Sequence, residues 1–373
     1  MTVMTPLVLV AAGGTGGHLF PAEALALALR ARGIKVALAT DARVGGFTGD
    51  FPASEIVEVP AATPSVRSPL KAARAVVTLG RGLAAAAKAV RRLNPAVVVG
   101  FGGYPTVPPV LAAGLLRVPT VLHEQNAVMG RANAFLARGV TMIATGFSDV
   151  RGIPEKATSR RVHTGNPVRP AVLAAADLPF EMAPDGPRRL LVFGGSQGAR
   201  VMSEVVPAAI ARLPAELRAR LTVVQQARGE DLAKAQAVYA GAGLAGVECA
   251  PFFKDLPARM GAAQLVIGRS GASTVAELAV IGRPSILVPL PGALDQDQAA
   301  NAASLGNIGA AWVVRQPDFT PDRLGADLTR LLGGPRELTD AAAKAKSAGI
   351  RDAAERLADV VVEAAGGPPA GVY

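Results

Sequence analysis

The sequence predicts an α/β protein built from two Rossmann-like domains facing across a cleft. Three observations carry this. Short apolar runs end in glycine-rich turns that open into helix-forming segments, and this unit recurs along the chain. Glycine loops of two kinds follow in the same order in each half, at Gly13 and Gly100 and again at Gly194 and Gly268. Prolines collect between residues 151 and 170, at Pro154, Pro167 and Pro170, as they do at a domain boundary. Strands that alternate with helices argue for parallel sheets covered on both faces.

The elements follow in order. Residues 7–12 are an unbroken apolar run, the pattern of a buried parallel strand. The run ends in Gly13-Gly14-Thr15-Gly16-Gly17-His18, and residues 21–32 then have helix composition. Residues 35–39 are a second strand, 68–93 a helix and 96–100 a strand, and Gly102-Gly103-Tyr104-Pro105 turns into another helix. Strands at 119–123 and 142–144 complete the first series. The second series begins at 189–193, followed by Gly194-Gly195-Ser196-Gln197-Gly198-Ala199 and a helix through 213. Strands follow at 221–225 and 265–268. The latter ends in Arg269-Ser270-Gly271-Ala272-Ser273-Thr274, which opens a helix to 281 before a strand at 285–289. Ile350, Ala354, Leu357, Val361 and Ala364 are spaced for one helical face. The expected division is 1–165, 166–345, a C-terminal helix at 346–365 packing back on the first domain, and a tail at 366–373.

Of the 373 residues, 50% are apolar and 18% charged, enough for a sizeable core and against wholesale disorder. One cysteine, Cys249, excludes a disulfide framework, and three histidines leave little for a metal site, so none is expected. The net charge of +10 is uneven: residues 1–165 hold 18 Lys/Arg against 8 Asp/Glu, while 166–373 hold 21 of each. No acidic residue lies between Glu58 and Glu124. Arg67, Lys71, Arg74, Arg81, Lys88, Arg91, Arg92 and Arg117 all fall in that gap. An anionic partner follows, whether nucleic acid, an acidic membrane surface or a phosphorylated ligand. With aromatics at 4% and none between Arg67 and Arg92, nucleic acid is disfavoured. Residues 1–17 contain no Lys or Arg and so lack a secretory leader. The uncharged stretch 93–116 has the length of a membrane span, but Pro95, Pro105, Pro108 and Pro109 read it as strand, loop and helix start. An intracellular chain that does not cross a membrane is expected.

A glycine turn between strand and helix brings bare amides to the positive end of the helix dipole, which makes a phosphate site. None of the four loops carries the Lys-Ser/Thr ending of a nucleotide-hydrolase loop. The first can be fitted to a dinucleotide fingerprint with Asp41 as ribose ligand, although His18 stands where Gly or Ala is expected. A nicotinamide-dependent oxidoreductase therefore stays among the alternatives.

Six motifs appear in register: Gly13-Gly14-Thr15-Gly16-Gly17-His18, Gly102-Gly103-Tyr104, His123-Glu124-Gln125-Asn126, Gly165-Asn166-Pro167-Val168-Arg169, Gly194-Gly195-Ser196-Gln197-Gly198-Ala199 and Arg269-Ser270-Gly271-Ala272. As a set they resemble the MurG family, peripheral-membrane N-acetylglucosaminyltransferases that convert lipid I to lipid II in peptidoglycan synthesis. The resemblance implies the glycosyltransferase-B fold and inverting transfer of GlcNAc from UDP-GlcNAc to the 4-hydroxyl of lipid-linked MurNAc, without a cofactor. It places Glu277 on the ribose hydroxyls, which a carboxylate can accept in pairs. Ser196, Ser270, Gly271, Ala272, Ser273 and Thr274 fall to the diphosphate, and Phe253 to the uracil side, with Phe252 in the core. Asn126, Arg169 and Gln298 fall to the cleft near the donor, and Thr15, Gly16 and Gly17 to the first-domain loop.

The attacking hydroxyl needs a base, and His18 is the first candidate, with Glu124 next. Tyr104, His123 and Asn133 are expected on the acceptor side. Asp295-Gln296-Asp297 imitates a metal clamp of another glycosyltransferase fold. Here it precedes Gln298, in the position of the family's sugar-contacting segment, and Asp297 departs from the Gln or His expected there. Residues 66–83 mix Arg67, Lys71, Arg74 and Arg81 with Leu70, Val76, Val77, Leu79 and Leu83, a composition suited to docking on the anionic cytoplasmic face of the cell membrane. A UDP-GlcNAc epimerase of the same fold is the nearer enzymatic alternative, and a non-catalytic sugar-nucleotide-binding subunit a further one.

Overall fold

The run Leu-Val-Leu-Val-Ala carries no polar side chain and forms a central strand, β1 (Leu7–Ala11), buried from Val8 onward. The computed structural model describes residues 6–13, 16–42, 51–62, 69–195, 198–244, 246–292 and 296–366, and for 69–74 the backbone alone. The chain divides into two units, Met1–Arg169 with Arg351–Tyr373 and Pro170–Ile350.

In the first unit β1 is followed by α1 (Gly16–Ala31), β2 (Lys35–Thr40), β3 (Glu55–Glu58), α2 (Pro69–Leu93), β4 (Val97–Gly100), α3 (Val107–Leu115), β5 (Thr120–Glu124), α4 (Arg131–Leu136), β6 (Met142–Thr145) and β7 (Arg161–His163). The seven strands are all parallel, in the order β3-β2-β1-β4-β5-β6-β7. The order turns back between β1 and β4. The loops leaving these two strands therefore flank the switch point, where α/β sheets bind ligands. Leu19, Leu25 and Leu29 of α1 cover one face of the sheet. Val90, Val110 and Leu136, from α2, α3 and α4, cover the other.

The second unit contains α5 (Pro170–Ala175), β8 (Arg188–Phe193), α6 (Arg200–Ile210), α7 (Ala215–Ala219), β9 (Leu221–Gln226), α8 (Gly229–Gly241), β10 (Val247–Ala250), α9 (Leu256–Ala262), β11 (Leu265–Gly268), α10 (Ala272–Ile281), β12 (Ser285–Leu287), α11 (Asp297–Gly306), β13 (Ala311–Val313), α12 (Pro321–Gly333) and α13 (Arg336–Ala348). Its six strands are parallel in the order β10-β9-β8-β11-β12-β13, so the loops after β8 and β11 flank a second switch point. The chain then returns to the first unit as α14 (Ala353–Ala364). This helix packs on α1 and sends Leu357, Ala358, Val360 and Val361 into that unit's core.

Three features differ from the sequence reading. The units meet at 169/170 rather than 165/166, because Pro170 opens α5, which packs on α9 and α10. The return to the first unit comes at 351 rather than 346, because α13 packs on α10. Helix α1 starts at Gly16, inside the glycine loop, and keeps Pro21 within it. A proline that near the start removes only one rung of the hydrogen-bond ladder. Among the described residues, no helix is long and apolar enough to cross a membrane.

Candidate active site

At the first switch point α1 opens with Gly16, Gly17 and His18, beside the loop that leaves β4. Gly102 and Gly103 turn that loop with φ of 85° and 72°, a region that side chains rarely adopt. A Cβ on Gly102 would lie 3.3 Å from Asn133 Nδ2 and 3.5 Å from His18 Cε1, so three elements meet here. His18 is half-buried, and its Nδ1 lies 3.2 Å from Gln125 Oε1. Burial pulls its pKa below the ordinary histidine value, while Gln125 and the Phe101 backbone oppose the shift.

Behind His18 lies a chain of polar groups on the end of β5. Gln125 Nε2 is 3.2 Å from His123 Nδ1 and 3.2 Å from the His123 carbonyl oxygen. His123 Nε2 is 3.1 Å from the Gly165 carbonyl oxygen. The His123 ring is fully buried, with its centroid 5.3 Å from that of Phe101, and burial brings its pKa down to about 4. The Gln125 carbonyl accepts from Asn166 Nδ2 at 2.9 Å, which fixes the loop from the far side. Arg169 lays its guanidinium 3.8 Å over the Phe20 ring of α1.

Glu124 is buried and its two oxygens are occupied. Oε1 accepts from the Asn126 amide at 2.9 Å and from Asn126 Nδ2 at 3.3 Å. Oε2 accepts from the Gly130 amide at 2.9 Å and from Asn133 Nδ2 at 2.8 Å. Burial raises its pKa and these four donors oppose the rise. The carboxylate thereby anchors the loop from Asn126 to Asn133. The His123 residue has no exposed surface. Asn133 spends its NH2 on Glu124 and the His123 carbonyl, and its buried Oδ1 has no hydrogen-bond partner. Tyr104 is half-buried at the start of a short 3-10 turn and packs against the α2–α4 side of the core.

In the second unit, Gly194 and Gly198 bend the chain so tightly that a Cβ on Gly194 would lie 2.2 Å from the Ala199 amide nitrogen. Gln226 accepts from the Gly194 amide at 3.1 Å and donates to the Pro251 carbonyl at 3.2 Å, joining the loops after β8 and β10. Beside them Gly271 precedes α10. With no side chain, it offers no capping oxygen to the first-turn amides at Ala272, Ser273 and Thr274. Ser270 donates to the Gln298 carbonyl at 2.8 Å, and Asn301 donates to the Ser270 carbonyl at 3.2 Å. Gln298 Oε1 accepts from the Leu290 amide at 3.0 Å, which leaves its NH2 to donate. Asp297 accepts from the Gln298 amide at 2.8 Å, at the start of α11. Glu277 is buried on α10 rather than solvated. Phe253 is buried with the Arg259 guanidinium 4.3 Å over its ring. Phe252, expected in the core, is instead 56% exposed. Thr15, Ser196 and Asp295 lie outside the described residues.

Sequence reasoning quoted Gln125 and Asn166 within motifs but gave them no role, and it passed over Gln226. For Gln125 the signal was there: His123 and Gln125 stand two residues apart at a strand end, the spacing that puts side chains on one face.

Residues 8–145 match the glycosyltransferase family 28 N-terminal domain, and residues 189–357 match the family's C-terminal domain. A UDP-N-acetylglucosamine–N-acetylmuramyl-(pentapeptide) pyrophosphoryl-undecaprenol N-acetylglucosamine transferase from Methylobacterium sp. (strain 4-46) is 74% identical over 366 residues, 98% of each chain. The crystal structure of Acinetobacter baumannii MurG superposes with a TM-score of 0.78 at 32% identity, covering 96% of this chain and 99% of that one. The chain belongs to the MurG family. As a MurG-family protein it is an N-acetylglucosamine transferase with the two α/β domains of the glycosyltransferase-B fold. A UDP-GlcNAc 2-epimerase from Neisseria meningitidis superposes with a TM-score of 0.69, covering 96% of this chain and all of that one. At 13% identity the likeness extends to the fold alone.

Proposed function

We propose that the protein transfers GlcNAc from UDP-GlcNAc to the 4-hydroxyl of MurNAc in undecaprenyl-pyrophosphoryl-MurNAc-pentapeptide, with inversion, and that His18 is the base. The observation that carries the base is the His18 imidazole itself. It stands half-buried at the start of α1, with one ring nitrogen committed to Gln125 and burial favouring the neutral form. A neutral imidazole takes the hydroxyl proton on its other nitrogen as the oxygen bonds to the anomeric carbon and UDP departs. Charge then develops on the diphosphate. The first turn of α10 offers backbone amides already set for an anion. Glu277 holds the ribose diol, the Phe253 loop the uracil, and Asn126, Arg169 and the Gln298 NH2 the sugar and diphosphate. Tyr104 stands on the acceptor side. His18→Ala is expected to lower kcat by ~10²–10⁴-fold and to leave the affinity for UDP-GlcNAc within about twofold. Equal losses in both would move His18 from chemistry to binding.

The enzyme meets its lipid-borne acceptor by docking on the anionic cytoplasmic leaflet. Val76 and Val77 of α2 are 66% and 57% exposed, Leu115 at the end of α3 is 73% exposed, and Phe135 of α4 is 65% exposed. Helix α3 packs against both α2 and α4, and Arg81, Arg117, Arg131 and Arg138 are exposed on the same three helices and the turns that follow them. Each basic side chain near such a surface contributes about 1 kcal/mol. Leu83 packs toward the core instead, while Arg67 and the side chains of Leu70, Lys71 and Arg74 lie outside the described residues. Sedimentation with vesicles should show binding that rises with anionic lipid and falls with salt. Indifference to both would reject docking.

A further inference from the structure

The polar chain behind His18 has only one consistent direction for its hydrogens. The Gly165 carbonyl can only accept, so His123 Nε2 must carry a proton to meet it at 3.1 Å. The ring is buried and neutral above about pH 4, so its Nδ1 holds a lone pair. Gln125 therefore turns its NH2 toward that nitrogen, where the second N–H also reaches the His123 carbonyl at 3.2 Å. The reversed amide would set an oxygen against two acceptors. Gln125 Oε1 is thus left facing His18 Nδ1 at 3.2 Å, and an amide oxygen accepts only.

We propose that Gln125 is a positioning residue that holds neutral His18 as its Nδ1–H tautomer and so places the lone pair on Nε2. The inference rests on the reading of His18 as base and says how that base is kept ready. In water a neutral histidine favours the opposite tautomer, with the lone pair on Nδ1. Here the choice is transmitted from a backbone carbonyl at the end of β7, through His123 and Gln125, to the reactive ring.

Beside Gln125, the Phe101 backbone also hydrogen-bonds the His18 ring and likewise opposes the fall in its pKa. The β4 loop brings Gly102 and Gly103, α4 brings Asn133, and none of them titrates. The end of β5 brings His123, neutral as described, and Glu124, held by Asn126, Gly130 and Asn133. Arg169, stacked on Phe20, is the cation beside α1.

The test is nitrogen NMR of the full-length protein labelled with ¹⁵N-histidine, in which only His18, His123 and His163 give imidazole signals and His18→Gln assigns the first. Above neutral pH, wild-type His18 should show a protonated Nδ1 and a bare Nε2. In Gln125→Leu the pattern should revert toward Nε2–H. For that variant kcat should fall at least tenfold with the KM for UDP-GlcNAc within twofold, and the acid limb of kcat/KM should move to lower pH. Gln125→Glu keeps an acceptor and adds a charge, so the same limb should move up by a unit or more. A fold merely damaged by substitution would not shift the limb in opposite directions. Wild-type His18 protonated on Nε2, or a tautomer and acid limb unmoved by either variant, would overturn the proposal. A His18→Ala enzyme that keeps its turnover would remove the base reading alone, because the spectrum does not depend on activity.

Discussion

His18 is held where water cannot fully solvate a cation, and burial draws its pKa below 6.5. As a base it must be neutral, so its contribution is complete above the ordinary histidine value and is lost only as pH falls through the lowered one. The profile of kcat/KM is accordingly expected to be level from pH 6.5 to 8 and to decline below 6.5. An acid limb centred at or above 6.5 would contradict this assignment. Single residues became candidates in the sequence where chemistry and position coincided. His18 ends a glycine loop, and Glu277 sits on the helix that such a loop opens. Glu124 was picked out by its type, whereas its four donors come from a loop whose path no sequence pattern reveals. Phe252 and Phe253 are adjacent and chemically identical, and only the backbone turn decides which one is buried.

Among elements, central strands were readable and edge strands were not. β1, β4 and β11 are covered on both faces, and so is β8 from Leu190 onward, so these stretches are continuous apolar runs. The four strands the sequence did not disclose, β3, β7, β10 and β13, are the outer strands of the two sheets. Half-exposed segments such as Glu-Ile-Val-Glu in β3 lose the apolar signature that marks a buried strand. Helix α2 offers a sharper test of what packing adds to propensity. It contains Gly80, whose added Cβ would meet nothing within 4 Å, and Gly82, whose Cβ would fall 2.1 Å from the Pro60 carbonyl oxygen. Gly80→Ala is expected to stabilise the protein by about 0.5–1 kcal/mol, the helix-propensity difference. Gly82→Ala, the same change two residues on, should destabilise it, because a backbone oxygen cannot step aside. Urea denaturation of the two variants checks the contrast, and shifts of the same sign would refute it.

For the whole molecule, the sequence supplied two α/β halves and a final amphipathic helix, because periodicity survives without knowledge of partners. It could not supply the exact junctions, which depend on whether α5 and α13 find their contacts in one unit or the other. Helix α14 shows how much rests on such a contact. Leu357 is fully buried in the first unit's core, almost two hundred residues past the junction at Arg169. Leu357→Ala should cost about 2–5 kcal/mol in the unfolding of the first unit while the affinity for UDP, assigned to the second, stays within about twofold. A loss confined to UDP binding would show the helix belongs energetically to the other half.

The placement of α14 also orders events at the ribosome. The middle segment, Pro170–Ile350, can complete its sheet while α14 is still in the exit tunnel. The opening segment emerges first yet waits for α14 to bring Leu357, Ala358, Val360 and Val361 into its core. The half translated first therefore matures after the half that follows it, and until α14 docks its unfilled core is a site for chaperones.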